Sequence, residues 1–588
     1  GRVVKWLDAN TGATKNPTGH LGSYFRSRTD LVTPKFDALD FSGVTSFSYT
    51  WISCSSLTSF PVIDTSSVTS FSTAWYGLSL LTSFPLLDTS SGTNFFQTWS
   101  SCTGLTSFPA LDLSSGTSFQ TAWKGCRGLT SFPALTLTAG TNFISAWNGC
   151  NNVGFTTFPA VTFSTDAGDD INFTSAWYGC TGLTSFPALN LSRGTNFYSA
   201  WFGCTSLTSF LATGLDSGTD FTIAWESCTA LATMPAIPLT AGTTFYATWK
   251  NCTSLTSFLA TGLDSGTNFQ EAWRSCTALA TMPAIPLTAG TNFTSTWQNC
   301  TSMTSFLATG LDSGITFTSA WSGCVSLTSF PAIPLTKGTN FNYAWQNCSS
   351  LTSMPAISFA ATTTIYAAWQ NCTSLTSFLA TDLDSSSDFY ATWNNCTSLV
   401  TFPAIPLTNG GRFQGAWQGC SSMTTFLATG LDSGTNFSSA WSGCTALTTM
   451  PAIPLTAGTN FGAAWYNCSS MTSFLPTLSN LSTSFYYCWQ GCSSLANFPA
   501  NVFDNWSPAS VSDNCFAGAW ANCTSLTATS VENILNSLAT AGVAAPSSGV
   551  DIFISYDAGT GTPSIASAVA TLKGLSPAWT ITLNGVAQ

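Results

Sequence analysis

Asn436-Phe437-Ser438-Ser439-Ala440-Trp441-Ser442-Gly443-Cys444-Thr445-Ala446-Leu447-Thr448-Thr449-Met450-Pro451-Ala452-Ile453 carries the pattern on which the fold turns. Phe437, Trp441 and Cys444 stand at i, i+4 and i+7, the spacing of one face of a short helix. Leu447, Met450 and Ile453 follow at three-residue steps, with small polar residues between them. Gly443 and then Pro451 limit any helix to about two turns. Leu447 to Ile453 reads as a short strand, and Ala457-Gly458-Thr459 as the turn into the next copy. Phe437, Trp441, Cys444, Leu447 and their repeat equivalents are the expected core.

Outward from this stretch the tryptophan recurs every 24 residues. Trp51, Trp75, Trp99, Trp123 and Trp147 keep the interval, and Trp177 restarts it after six extra residues. The count then runs unbroken to Trp489, with a last copy at Trp520, giving 20 units. A fixed period of this length predicts a solenoid, in which each unit hides its apolar face against its neighbours. The expected class is an α/β repeat solenoid of about 20 coils, each with a short helix and one rung of a parallel strand ladder. Two aromatics per coil do not offset the entropy of ordering 24 residues, so stacking is obligatory.

Composition narrows the chemistry. Only 7% of the 588 residues are charged, against roughly 25% in ordinary soluble proteins. The net charge of −11 is spread thinly, and no basic stripe marks a nucleic-acid surface. Six of the 14 Lys and Arg precede Phe36, which sets residues 1–44 apart as an anchoring or capping segment. The chain starts at Gly1 rather than Met, which points to processing or to upstream sequence. No uninterrupted apolar run of 18 residues is present, so no membrane span is expected. Of 21 cysteines, 19 sit three residues after a repeat Trp, with Leu78 the one break. One thiol per coil in equivalent places reads as buried free cysteine rather than a disulfide framework. Zinc is not expected, because there is no CxxC pair and His20 is the sole histidine.

Ile63-Asp64-Thr65-Ser66-Ser67-Val68-Thr69-Ser70-Phe71-Ser72-Thr73-Ala74-Trp75-Tyr76-Gly77, and Cys102-Thr103-Gly104-Leu105-Thr106-Ser107-Phe108-Pro109 for the second half of a unit, resemble the BspA-like leucine-rich repeats. That family occurs in bacterial surface proteins and phage structural proteins. The resemblance covers residues 45–526, with Trp where the family usually has Phe. It implies a leucine-rich-repeat-type solenoid over 45–528, an adhesive role and no enzymatic activity or cofactor. Residues 529–588 lack the repeat Trp and read as a small α/β cap. A helix opens near Ser530 and Glu532, Asp551 to Tyr556 forms a strand, Ser564 to Leu572 a second helix, and Trp579 to Leu583 a last strand. This segment is similar to the ends of many phage-encoded repeat proteins. That tilts the expectation to a virion-surface protein, tail fibre or capsid, with a bacterial cell-surface adhesin or filament subunit as the alternative and a polysaccharide depolymerase third.

Candidate sites are sparse. Tyr198, Tyr246, Tyr366, Tyr390 and Tyr486 follow the repeat Phe position (Ile365 in the case of Tyr366), a place that helical spacing exposes, and are the binding candidates for a host-surface glycan or protein. Other virion proteins would dock through the N-terminal segment, and homo-oligomers are compatible with either role. Six extra residues fall between Trp147 and Trp177, and seven within Asn501 to Asn514; such insertions emerge as loops. Asp166, Asp169 and Asp170 in the first are weak cation candidates, a solvated loop being the simpler reading. Asp216, Asp264, Asp312, Asp384 and Asp432 recur mostly every second coil, about 10 Å apart on strand spacing. Neighbours at that distance cannot share a calcium ion with ligands at ~2.3–2.6 Å, so these read as turn formers. No nucleophile–histidine set is available inside the array, since His20 lies outside it.

Overall fold

The computed structural model describes residues 18–33, 40–166, 168, 170–547 and 550–588. Two compact units divide the chain, Gly1–Gly290 and Thr291–Gln588. Each is a solenoid of 24-residue coils with short parallel ladders. In the first unit one ladder runs Ser46, Ser70, Asn94, Ser118, Asn142 and Asn172, one residue before each repeat Phe. A second pairs Ser185–Phe186 with Ser209–Phe210, and a third pairs Thr136–Leu137 with Thr162–Phe163. The second unit repeats the scheme, as in Thr401–Phe402 on Thr425–Phe426 and Pro406 on Thr429.

The tryptophans form the axis of each unit. All twenty repeat indoles are fully buried. From Trp51 to Trp273 adjacent rings are stacked, for example 5.7 Å apart at 2° between Trp51 and Trp75 and 5.0 Å at 9° between Trp201 and Trp225. From Trp297 to Trp520 the same holds, as in Trp393 to Trp417 at 5.6 Å and 4°. The repeat Phe forms a second stacked column, with Phe413 5.3 Å from Phe437 at 3°. A third aromatic column stands across the indoles edge to face, as Phe426 does on Trp417 at 4.8 Å and 82°. Offset stacks and perpendicular contacts are the favoured geometries of aromatic quadrupoles, so the core is held by orientation as well as area.

The short helix expected around each Trp is not a helix. Phe437, Trp441 and Cys444 do share the buried face, but through consecutive turns with left-handed residues at Ser439 (φ 57°) and Gly443 (φ 74°). Alternate amides turn outward along the stack: Phe437 N–H donates to Asn460 O at 2.8 Å, Ser439 to Gly462 O at 2.9 Å, Trp441 to Ala464 O at 2.8 Å and Gly443 to Tyr466 O at 2.7 Å. The intervening amides close local turns, as Ala440 N–H does on Phe437 O at 3.0 Å. An α-helix would spend every amide within the coil; this arrangement sends half of them to the next coil and joins neighbours by backbone as well as by core. Left-handed φ at a non-glycine residue costs about 1–3 kcal/mol and persists only where surroundings over-determine it. Here the inter-coil hydrogen bonds do so.

Side chains reinforce the ladders. Asn or Asp before the repeat Phe accepts from the amide two residues on, as Asn436 Oδ1 does from Ser438 N at 3.0 Å. Thr hydroxyls donate to the carbonyl one coil earlier, for example Thr117 to Thr93 at 3.1 Å and Thr363 to Thr339 at 3.1 Å. All 21 cysteines are free and buried. Repeat thiols donate to the Trp carbonyl of the preceding coil, as Cys444 Sγ does to Trp417 O at 3.2 Å.

At the first unit's start, Thr18–His20 pairs in parallel with Gly43–Ser46, and Phe25 stacks on Trp51 at 5.9 Å and 7°. Phe25 thus takes the place of a tryptophan one coil earlier, and Cys54 Sγ donates to its carbonyl at 2.8 Å. At the second unit's end, helix α1 (Ala528–Ala541) is capped by Thr527, not Ser530. Asp551–Ile554 then pairs with Thr580–Leu583, flanking helix α2 (Ala566–Lys573). Ile554 bridges Trp520, so this small sheet continues the last coil's ladder. Among the described residues no helix is long and apolar enough to cross a membrane.

Candidate functional site

Because the interior repeats, chemical variety is confined to columns that face outward. In the second unit four such columns flank the tryptophans between Trp345 and Trp441. Three residues before Trp stand Tyr366, Tyr390 and Gln414; two before it, Tyr343, Ala367, Ala391, Gly415 and Ser439. One residue after Trp come Gln346, Gln370, Asn394 and Gln418, and two after it Asn347, Asn371, Asn395, Gly419 and Gly443.

The large members interlock. Tyr343 meets Tyr366 edge to face at 5.0 Å, and Tyr366 stacks on Tyr390 at 4.5 Å and 11°. The Arg412 guanidinium covers the other side of Tyr390, 4.2 Å from the ring centre, and lies 3.6 Å from Asp388. Desolvation first, then the neighbouring tyrosine Tyr343, raises the Tyr366 hydroxyl above its usual pKa. The carboxamides form two ladders. Gln346 donates to Gln370 at 2.7 Å, Gln370 to Asn394 at 3.4 Å and Asn394 to Gln418 at 3.2 Å. Beside them Asn371 donates to Asn347 at 2.8 Å and Asn395 to Asn371 at 3.0 Å.

Both the tyrosine row and the asparagine row stop at one coil. In that coil Gln414 follows Tyr390 and Gly419 follows Asn395, and Gly415 (φ 62°) lines a recess of about 330 Å³. Gln370, Tyr390, Asn394, Asn395, Gln414 and Gln418 line it. Arg412 donates to Gln414 Oε1 at 3.3 Å, and Asn436 does so at 3.5 Å, fixing one wall.

The five tyrosines read from the sequence do not form one site. Tyr366 and Tyr390 meet in the second unit, where Tyr486 instead touches Tyr487 at 3.8 Å. Tyr198 and Tyr246 belong to the first unit, two coils apart. Tyr198 and Tyr486 are exposed, but Tyr246, Tyr366 and Tyr390 are half-buried, because side chains in adjacent coils cover one another. Sequence reading missed Tyr343, Arg412 and the two carboxamide ladders. Their signal was present as Gln or Asn after four successive tryptophans.

The other polar groups read from the sequence make local contacts. Asp170 lies 3.6 Å from Arg193, Asp166 N–H donates to Ser164 Oγ at 3.2 Å, and Asp169 lies outside the described residues. No three His, Cys, Asp or Glu side chains converge as a metal site among the described residues. Asp216 and Asp264 act as turn formers whose carbonyls accept from Ala241 and Ala289, both at 3.1 Å. In the first unit Lys250 lies 2.8 Å from Glu271 and 3.5 Å from Glu226, and desolvation leads in raising the Glu226 carboxyl above its usual pKa. His20 is exposed, 2.9 Å from Ser46 Oγ.

No family model matches the sequence. No curated protein matches it. Among solved structures the chain is similar to a leucine-rich repeat protein of Bacteroides ovatus, at 16% identity over 67% of this chain and 82% of that one, with a TM-score of 0.28. It is also similar to a leucine-rich cell-surface protein of Faecalibacterium prausnitzii, at 17% identity over 64% and 92% of the chains and a TM-score of 0.26. A third similarity is to the functional domain of InlJ from Listeria monocytogenes, which includes a cysteine ladder, at 13% identity over 65% and 69% and a TM-score of 0.21. Scores this low carry no weight for function; the solenoid rests on the coil geometry itself.

Proposed function

We propose that this chain is a non-catalytic adhesion protein displayed on an outer surface, that of a phage virion, where it binds the envelope of a host cell. The observation that carries the reading is the recessed band of Tyr366, Tyr390, Arg412 and the carboxamide ladders on a core of otherwise uniform coils. Rigid rows of donors and acceptors on a solenoid present an extended recognition surface whose ordering cost is already met by the core. The resemblance of residues 45–526 to BspA-like repeats, and of residues 529–588 to the ends of phage repeat proteins, points the same way. The thiols suit an oxidising exterior. Desolvation raises Cys102 and Cys420 from the usual 9.0 to about 12, so they hold no thiolate with which to form disulfides.

Antibody labelling of intact particles and of cell envelopes tests the display, and attachment of the purified chain to host cells tests the adhesion. Labelled virions with saturable cell attachment are expected. Label confined to bacterial envelopes would transfer the same adhesive role to a cell-surface protein, and absence of attachment would overturn the reading.

A further inference from the structure

We infer that the recess over Gly415 is a binding subsite for an uncharged saccharide. This rests on the adhesive role proposed above and names its ligand class. The chemistry of the lining decides the class. Gln370, Asn394, Asn395, Gln414 and Gln418 are carboxamides, each able to donate and accept, and Tyr390 adds a hydroxyl. Paired donors and acceptors match the hydroxyl groups of a sugar, each of which both donates and accepts. An acidic ligand finds no free cation there. Arg412 is committed to Asp388, to the Tyr390 face and to Gln414, and the chain carries a net charge of −11. An apolar ligand or a hydrophobic peptide anchor finds almost no apolar wall.

The geometry also says how the sugar sits. Tyr390 has Tyr366 on one face and Arg412 on the other, so a pyranose does not stack on it. Contact is through the tyrosine edge and the carboxamides, whose ladder bonds leave each amide with further hydrogen-bonding capacity. Those bonds hold the donors in place before binding, so less side-chain entropy is lost on association. The recess arises within one coil, where Gln414 follows Tyr390 and Gly415 follows Ala391, and a Cβ on Gly415 would meet only Gln418 Oε1, at 3.3 Å.

Two variants fill the recess with residues that the repeat position of Gly415 already tolerates at positive φ. Gly415→Tyr copies Tyr343 (φ 59°), and Gly415→Ile copies Ile223 (φ 49°). The full chain and both variants are titrated with maltohexaose, cellohexaose, mannohexaose and chitohexaose, with oligogalacturonate as the acidic comparator, while attachment to host cells is measured separately. At least one neutral oligosaccharide is expected to bind the parent chain, and each filled variant to weaken it about tenfold or more, with near-ultraviolet circular dichroism unchanged. If a filled variant misfolds, the exposed pair Asn395→Ala with Gln418→Ala is used instead and is expected to give the same loss. Binding of no neutral oligosaccharide, preference for oligogalacturonate, or equal binding by parent and variants would each overturn the inference. Cell attachment that persists in those cases leaves the adhesive role standing; its absence in the parent overturns that role instead.

Discussion

Within the coil of Trp393 the indole lies between Trp369 at 5.8 Å and Trp417 at 5.6 Å, the same residue on both sides. On the outside of that coil Tyr390 has a tyrosine behind it and a glutamine ahead. One backbone thus carries two kinds of column. Inner columns repeat because a stacked ring is only as well packed as its neighbours, and a change in one coil leaves a void shared by three. Outer columns change freely, because water fills whatever a shorter side chain leaves. Repetition therefore marks what holds the molecule together, and a break in repetition marks what distinguishes one coil's surface from the next. The first way to break this contrast is to perturb the whole inner thiol column at once. Desolvation raises Cys324, Cys372, Cys420, Cys468, Cys515 and Cys523 of the second unit from 9.0 to about 12. A raised folded pKa means that stability is fully present below pH 9, where both states hold the proton, and is lost as pH rises towards 12. Each thiol should remove about 1.4 kcal/mol per pH unit in that window, in every cooperative block that contains it. Under reducing conditions the unfolding midpoint should fall steeply between pH 9 and pH 11; a flat profile would show that the thiols are not buried together.

A single inner ring is the next largest perturbation. Trp393→Ala removes stacking on both sides and the edge contact with Phe402 at 4.8 Å, and should cost about 3–5 kcal/mol. In a one-dimensional array that loss splits unfolding into two transitions, visible in calorimetry. Trp393→Phe is the sharper comparison. Phe25 already occupies the tryptophan column and stacks on Trp51 at 7°, and the Trp393 indole N–H is buried with no hydrogen-bond acceptor. The phenyl ring keeps the stack and removes an unsatisfied donor, so the loss should be well under half that of alanine. Equal losses would mean that a phenyl ring does not replace the indole in the column, so that neither its area nor its stacking supports the coil.

These columns were largely legible in the sequence, since Trp441, Phe437, Cys444 and Leu447 recur at a fixed interval and are all buried. The local conformation was not. Residues at i, i+4 and i+7 share a face in a helix, and they also share one in a run of turns with Ser439 and Gly443 left-handed. Ser, Ala and Asn in the left-handed positions gave no glycine signal for most coils. The candidate site was legible only in part. Tyr366 and Tyr390 were found as aromatics one place after the repeat Phe position, but the assumption of helical exposure hid the fact that each covers the next. Asn347 carries no signal of its own along the chain, and its alignment with Asn371 and Asn395 appears only when coils are superposed. The break at Gln414 and Gly419 is likewise a property of columns, invisible along the chain.

The smallest expected effect on stability, and so the finest test of the contrast, is Tyr390→Ala. The substitution removes the stack on Tyr366 and releases the Arg412 guanidinium, yet leaves Trp393, Phe389 and Cys396 untouched. Half-exposed aromatic and cation–π contacts of this kind are worth about 0.5–1 kcal/mol each, and water replaces what is lost. Denaturant titration should therefore show a loss of no more than about 1–2 kcal/mol, less than half that of Trp393→Ala. Attachment to host cells should fall far more than stability does, because Arg412 and Gln414 lose the ring that positions them. If Tyr390→Ala instead destabilised the unit as much as Trp393→Ala, outer columns would be part of the scaffold, and breaks in them would say nothing about recognition.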